Sequence, residues 1–162
     1  MSAPPTVPPL SEGARLRHLR RTAWGMVGVL ALQNLVGIYV NLYVSLPLPA
    51  NYGAVLDVVV GSPVLALHAI LALLLLAGSL EMLGTAWGLS NEIRLPAASA
   101  VLWTLLAIVM GYEFVDDPGN LESFLMELAF VGVVLSEVVL LYRATVRTAG
   151  APTGPGPGAG PA

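Results

Sequence analysis

Four long apolar stretches dominate the chain, and short segments rich in proline, glycine or charged residues separate them. At a rise of about 1.5 Å per residue, each stretch can cross a hydrocarbon core about 30 Å thick. Backbone groups in lipid must form their hydrogen bonds within the segment, so the pattern predicts transmembrane helices. The predicted spans are 22–46, 63–87, 96–112 and 121–142. Because short connections make consecutive helices antiparallel, the predicted fold class is all-α, an antiparallel four-helix transmembrane bundle.

Prolines mark several of the predicted span limits. Pro47 ends the first stretch. Pro63 and Pro96 are predicted to lie in the first turns of the second and third helices, where a missing N–H costs nothing. The segment 47–62 joins the first two spans, and its apolar run 55–60 is predicted to be either a strand-like piece or a helix on the membrane surface.

The two ends of the chain differ from the apolar middle. Residues 1–14 are rich in Pro, Ser and Ala, residues 148–162 are rich in Gly, Pro and Ala, and both are predicted to be disordered. The transmembrane domain is predicted to span 15–147. The chain is 56% hydrophobic and 10% charged, whereas soluble domains carry about 25% charged residues. A soluble bundle would need polar outward faces, which none of the four stretches has.

All seven basic residues are arginines, and they lie on one side of the predicted bundle. They are Arg15, Arg17, Arg20, Arg21, Arg94, Arg143 and Arg147. The positive-inside rule therefore predicts a multi-pass protein of the plasma (inner) membrane with both termini in the cytoplasm. This topology, together with attraction to anionic lipid, explains the arginine cluster at 15–21. No nucleic-acid partner is expected. A signal peptide is disfavoured because the first stretch is too long and contains Gln33 and Asn34.

Polar side chains within the spans are the functional clues, because they are costly in lipid and usually face the bundle interior. Asn41, His68 and Glu127 each lie about five or six residues from the outer end of their span, so they share one depth. If they face inward, they form a polar layer in the outer half of the bundle. Gln33, two four-residue steps before Asn41, and Tyr112, at the outer end of the third span, complete a candidate ligand or proton site.

Three interpretations of this layer stay open. Histidine titrates near neutrality, which suits a proton or small-ligand site. Alternatively, these groups only hydrogen-bond across helices and fix their packing. A neutral His68 also suits haem, with Met126 or Met110 as a second axial ligand, although a single embedded histidine is a weak basis for haem. No other cofactor and no metal site is predicted, because there is no second embedded His and no Glu-x-x-His spacing.

Glu81 and Glu137 form a second candidate set, in the inner half of the bundle. A carboxylate at mid-membrane suits a small proton-linked transporter. The favoured interpretation is that both lie near cytoplasmic helix ends, where they reach water or an arginine.

Several short motifs carry a resemblance to a known group. They are the block 37–47 (GIYVNLYVSLP), His68, the block 111–114 (GYEF), Asn120 and the block 123–126 (SFLM). Over residues 25–142 the chain resembles uncharacterised small four-span integral membrane proteins of actinobacterial and Gram-positive type. The resemblance implies the four-span topology and no mechanism. A looser likeness exists to four-helix b-type cytochromes and haem-synthesis membrane proteins, which hold haem through histidines on facing helices.

The sequence thus predicts a non-enzymatic integral membrane protein, an accessory or assembly subunit with a polar layer in its outer half. A small proton-linked transporter is the alternative, and a haem-binding redox subunit is a third hypothesis. The lipid bilayer is the expected partner, together with a protein partner or a second copy of the chain. No nucleophile–base pair, phosphate loop or paired-carboxylate motif favours an enzyme.

Overall fold

The structure is a computed structural model that describes residues 11–46 and 54–149. In these two ranges the chain forms helices and no strand. The helices are α1 (Glu12–Tyr43), α2 (Val55–Gly61), α3 (Pro63–Ala86), α4 (Asn91–Asp116) and α5 (Asn120–Ala149). Helices α1, α3, α4 and α5 are each long and apolar enough to cross a membrane. The predicted fold class, an all-α bundle with four such helices, is confirmed.

The four long helices form a closed ring of neighbours. Helix α1 packs against α3 and α5, and α4 packs against the same two helices. Over the described residues, α1 does not contact α4 and α3 does not contact α5, so these pairs lie diagonally across the bundle. The short helix α2 packs against α3 and α4. Each long helix therefore presents one face to the interior and one to the outside.

Serine caps begin two of the helices. Ser11 Oγ accepts a hydrogen bond from Ala14 N at 3.4 Å, and Ser62 Oγ accepts one from Leu65 N at 3.5 Å. Each bond satisfies one of the backbone donors that the first turn of a helix leaves unpaired. Pro63 follows its cap directly, so its predicted place in the first turn of α3 is confirmed.

Two helices begin earlier than the predicted spans. Helix α1 begins at Glu12, so residues 12–14 are helical and the prediction of disorder is wrong for them. Helix α4 begins at Asn91, so Pro96 lies inside the helix and not in its first turn. In both cases polar residues extend the helix beyond the apolar stretch, because helix formation does not stop at the edge of the lipid. The run 55–60 belongs to α2, which decides between the two alternatives in favour of a helix. Helix α5 ends at Ala149, so the prediction of disorder is also wrong for residues 148 and 149. The predictions for 1–10, 47–53 and 150–162 fall outside the described residues.

The two halves of the bundle are packed differently. We call the half with all seven arginines the arginine half, and the half with Asp57 and Asp117 the distal half. The main hydrophobic cluster extends from the arginine end to the middle of the bundle. Its members are Leu16, Leu19, Ala23, Met26, Leu30, Leu75, Met82, Ala86, Ile93, Ala97, Val133, Leu140 and Ala144. At two glycines in this half, Gly78 and Gly132, the side chains of Met26 and Trp103 occupy the space that a Cβ would need. The arginine half is therefore closely packed.

Ion pairs tie helix ends together at the arginine end. Arg143 Nη1 lies 3.3 Å from Glu92 Oε2, and Arg147 Nη2 lies 3.4 Å from the same oxygen. Arg147 Nη1 also lies 3.8 Å from Glu12 Oε1. These pairs join α5 to α4 and α1. Because the side chains are largely exposed, each pair contributes at most about 1 kcal/mol.

Large apolar side chains cover the outside of the bundle. Leu35, Leu74, Leu102 and Leu135, one on each long helix, are all more than half exposed. An outside of this kind is compatible with contact with a lipid bilayer.

Candidate functional site

A cavity of about 400 Å³ occupies the interior of the distal half. All four long helices line it, and Val55 and Val59 of α2 line it as well. The floor, towards the arginine half, contains Leu30, Leu75 and Thr104. Ligand sites in proteins typically have volumes of about 300–1,000 Å³, with mainly apolar walls and a few polar groups. The cavity meets both criteria.

Several small side chains line the cavity. They are Gly37 on α1, Ala69 and Ala72 on α3, and Ala107 and Gly111 on α4. At these positions they leave more space than larger side chains would.

The five residues of the predicted outer site all line this cavity: Gln33, Asn41, His68, Tyr112 and Glu127. Gln33 and His68 are half-buried, whereas Asn41, Tyr112 and Glu127 are more exposed. The structure thus places the five residues around one cavity, although their side chains do not form one buried layer. Their role as a ligand or proton site stays a prediction.

A hydrogen bond joins α1 to α3 at this cavity. Gln33 Nε2 lies 3.1 Å from His68 Nε2, so the amide donates to the ring, and Nδ1 is the nitrogen that carries hydrogen. The ring lies close to Gly37, where an added Cβ would be 3.1 Å from His68 Cε1. Gln33 Oε1 and His68 Nδ1 are buried without a hydrogen-bond partner among the described residues. His68 is therefore held by Gln33, and no hydrogen bond within the described ranges joins it to Glu127.

The haem hypothesis for His68 stays a prediction. Its Nε2 accepts the hydrogen bond from Gln33, and its Nδ1 is buried without a hydrogen-bond partner among the described residues. Of the two methionines considered as second ligands, Met126 lines the cavity and Met110 does not. Within 11–46 and 54–149, no three His, Asp or Glu side chains form a group that could hold a metal ion.

The two inner carboxylates are in different environments. Glu81 is exposed, and its Oε1 lies 2.8 Å from His18 Nε2. Its partner is a histidine and not an arginine, and its access to water stays a prediction. This contact joins α3 to α1 near the arginine end.

Glu137 contradicts the expectation that it reaches water or an arginine. Its side chain is 0% exposed, and neither carboxyl oxygen has a hydrogen-bond partner among the described residues. It lies on the face of α5 that also carries Val133 and Leu140, both buried in the hydrophobic cluster. The position near a helix end suggested access to solvent, but the rotation of α5 directs this side chain inward.

Two hydroxyl pairs between helices were not predicted. Ser79 Oγ lies 3.5 Å from Thr104 Oγ1, which joins α3 to α4. Ser99 and Ser136 are joined by a hydrogen bond of 3.0 Å, which links α4 to α5. The depths of these residues in their spans are compatible with such pairs, but depth alone does not tell which helix faces which.

Comparison with protein-family models, with curated proteins and with solved structures finds no match for this chain. The resemblance to small four-span membrane proteins of bacteria therefore stays a prediction.

Proposed function

We propose that this protein is a non-enzymatic membrane protein that binds a small, largely apolar molecule in the cavity of its distal half. The observation that carries the proposal is the cavity itself, about 400 Å³ of space inside an otherwise well-packed bundle. Its lining residues Ile38 and Leu73 are more than half exposed, so the cavity opens to the outside of the bundle and a molecule can enter it from there. A bound molecule gains packing contacts with the apolar walls.

The lining indicates the chemistry of the ligand. The walls are mainly apolar and carry eight polar residues: Gln33, Asn34, Asn41, His68, Thr104, Tyr112, Ser123 and Glu127. A ligand with an apolar body and a few hydrogen-bonding groups matches this distribution. Such a molecule dissolves in the bilayer and reaches the protein through lipid.

The test is extraction of bound molecules from the purified protein. Protein in mild detergent is extracted with organic solvent, and the extract is analysed by mass spectrometry. Ala107→Leu places a larger side chain in the cavity, whereas Ala77→Leu places the same side chain on the exposed face of α3. We expect a near-stoichiometric molecule with the wild type and with Ala77→Leu, and much less with Ala107→Leu. Equal recovery from both variants, or none from the wild type, contradicts the proposal.

A visible spectrum of the same sample tests the haem hypothesis. A Soret band that is present in the wild type and absent in His68→Ala would show that the ligand is haem and not an apolar molecule. Haem ligation through Nε2 would also require the Gln33–His68 hydrogen bond to break. A colourless sample that takes up no added haem removes this hypothesis.

The role in the cell that we propose is that of an accessory or assembly subunit in the bacterial inner membrane, with the arginine end in the cytoplasm. The cytoplasmic position of the arginine end is supported by the restriction of all seven arginines to one end of the bundle, together with the positive-inside rule. Co-purification from native membranes tests this role, because an accessory subunit requires a protein partner or a second copy of the chain.

A further inference from the structure

Glu137 stands out in the arginine half as a fully buried acidic side chain within the hydrophobic cluster. Both of its oxygens lack a hydrogen-bond partner among the described residues. Leu140 and Val133 flank it one turn away on either side of the same helix face, and both are buried. An ionised carboxylate in this position is strongly unfavourable, because no counter-charge offsets the loss of water.

The charged groups of every helix packed against α5 are engaged elsewhere or make no ion pair with Glu137. On α5 itself, Arg143 lies about 9 Å further along the axis, at six residues, and pairs with Glu92. On α4, Arg94 donates a hydrogen bond to Asn91. On α1, His18 pairs with Glu81 of α3.

The remaining arginines of α1 are Arg15, Arg17, Arg20 and Arg21, and no ion pair within the described ranges joins any of them to Glu137. A bound proton removes the buried charge without a counter-ion.

Two hydroxyl pairs lie between the cavity floor and the level of Glu137, and neither pair contacts its carboxyl. Thr104 lines the cavity floor and approaches Ser79. About 7.5 Å further along α4, at five residues, Ser99 bonds to Ser136, the residue next to Glu137 in the chain. Thr104 and Ser136 also donate hydrogen bonds to the carbonyls of Ala100 and Gly132, so a proton that moves along these pairs requires their hydroxyls to reorient.

We propose that Glu137 is a proton-binding site inside the membrane, reached from the cavity past the Ser79–Thr104 and Ser99–Ser136 pairs. The site exchanges one proton with the distal side and holds no metal ion. This inference is independent of the identity of any molecule in the cavity, because it rests on the carboxyl and on the hydroxyl pairs.

Infrared spectroscopy of the wild-type protein in lipid tests the bound proton directly. A protonated carboxyl gives a C=O stretching band that shifts in D₂O, and we expect Glu137→Gln to remove this band. Glu81→Gln is the matched control, since Glu81 is an exposed glutamate of the same half, and it should leave the band in place. A wild type without the band overturns the proposal, as does a band that Glu137→Gln retains.

Carbodiimide labelling provides a second readout that does not depend on the folding of a variant. Dicyclohexylcarbodiimide enters membranes and modifies protonated carboxyls, and peptide mapping of the wild type should place the label on Glu137. Labelling should decrease as the pH is raised and stay unchanged when sodium or potassium ions are added at constant pH. Protection by either ion overturns the proposal in favour of a cation site.

The proposed path is tested through the rate at which the carboxyl band shifts after transfer to D₂O. Thr104→Val and Ser136→Ala should retain the band and slow its shift several-fold. Thr148→Val is the control. Like Thr104, Thr148 donates a hydrogen bond to the carbonyl four residues earlier, but it lies at the arginine end, away from the proposed path. An unchanged rate in both path variants overturns access from the cavity.

Discussion

The contact between Trp103 and Gly132 should make the α4–α5 interface intolerant of a single added methyl group. A Cβ at Gly132 would lie 2.6 Å from both Cγ and Cε2 of the Trp103 ring. Optimal contacts between carbon atoms are about 3.5–4.0 Å. Because the ring is rigid, Gly132→Ala requires either that Trp103 turns away or that α4 and α5 move apart.

The magnitude follows from two opposing terms. Alanine favours a helix interior by about 1 kcal/mol over glycine. Overpacking costs about 1–3 kcal/mol, and the overlap with several ring atoms places this site in the upper part of that range. We expect a net loss of about 1–2 kcal/mol, which lowers the melting temperature by about 2–8 °C.

Gly28→Ala is the matched control for this prediction. Gly28 also lies within a long helix, but no atom lies within 4 Å of a Cβ built there. Gly28→Ala should therefore raise the free energy of unfolding by up to about 1 kcal/mol, from helix propensity alone. Thermal unfolding of both variants in the same detergent, followed by tryptophan fluorescence, measures the difference. A Gly132→Ala variant as stable as Gly28→Ala would refute the packing argument.

Three further predictions concern topology and polar contacts. Because the chain has no cysteine, the single-cysteine variants Ser11→Cys and Asp117→Cys report on topology. A membrane-impermeant maleimide applied to intact cells should modify Asp117→Cys and not Ser11→Cys. The reverse pattern would contradict a cytoplasmic arginine end. His68→Ala should lose about 0.6–2 kcal/mol of stability in thermal unfolding, because it removes a hydrogen bond between helices. Combining it with Gln33→Ala should add little, and fully additive losses would show that the two side chains are not coupled. Glu81→Gln alters the contact between His18 and Glu81, whose side chains are 48% and 53% exposed, so the free energy of unfolding should change by less than about 1 kcal/mol. A larger loss would contradict the surface position of the pair.

The sequence by itself determined the number of membrane-crossing helices. The lengths of the apolar stretches and the interrupting loops are local properties, and lipid permits no other backbone structure for such stretches. The ends of the helices were harder to predict from the sequence, because polar residues next to the spans continue the helices. Pro96 illustrates this, since a proline is compatible with the first turn of a helix but does not prove that a helix begins there.

Depth within the membrane was also readable from the sequence. Counting residues from the span ends placed Asn41, His68 and Glu127 at one level, and all three line one cavity. A residue's distance along a helix axis depends only on its position in the chain, because the rise per residue is constant. Their chemical role does not follow from depth.

Only the tertiary structure decided which side chains face inward. In a soluble helix the polar face identifies the outside, but in these helices the lipid-facing and core-facing sides are both apolar. Rotation about the axis is therefore not encoded in the hydrophobic pattern, and Glu137 and Glu81 look equivalent in the sequence although one is buried and the other is exposed. The cavity likewise depends on how the four helices pack, and the set of residues that line it becomes apparent only when that packing is known.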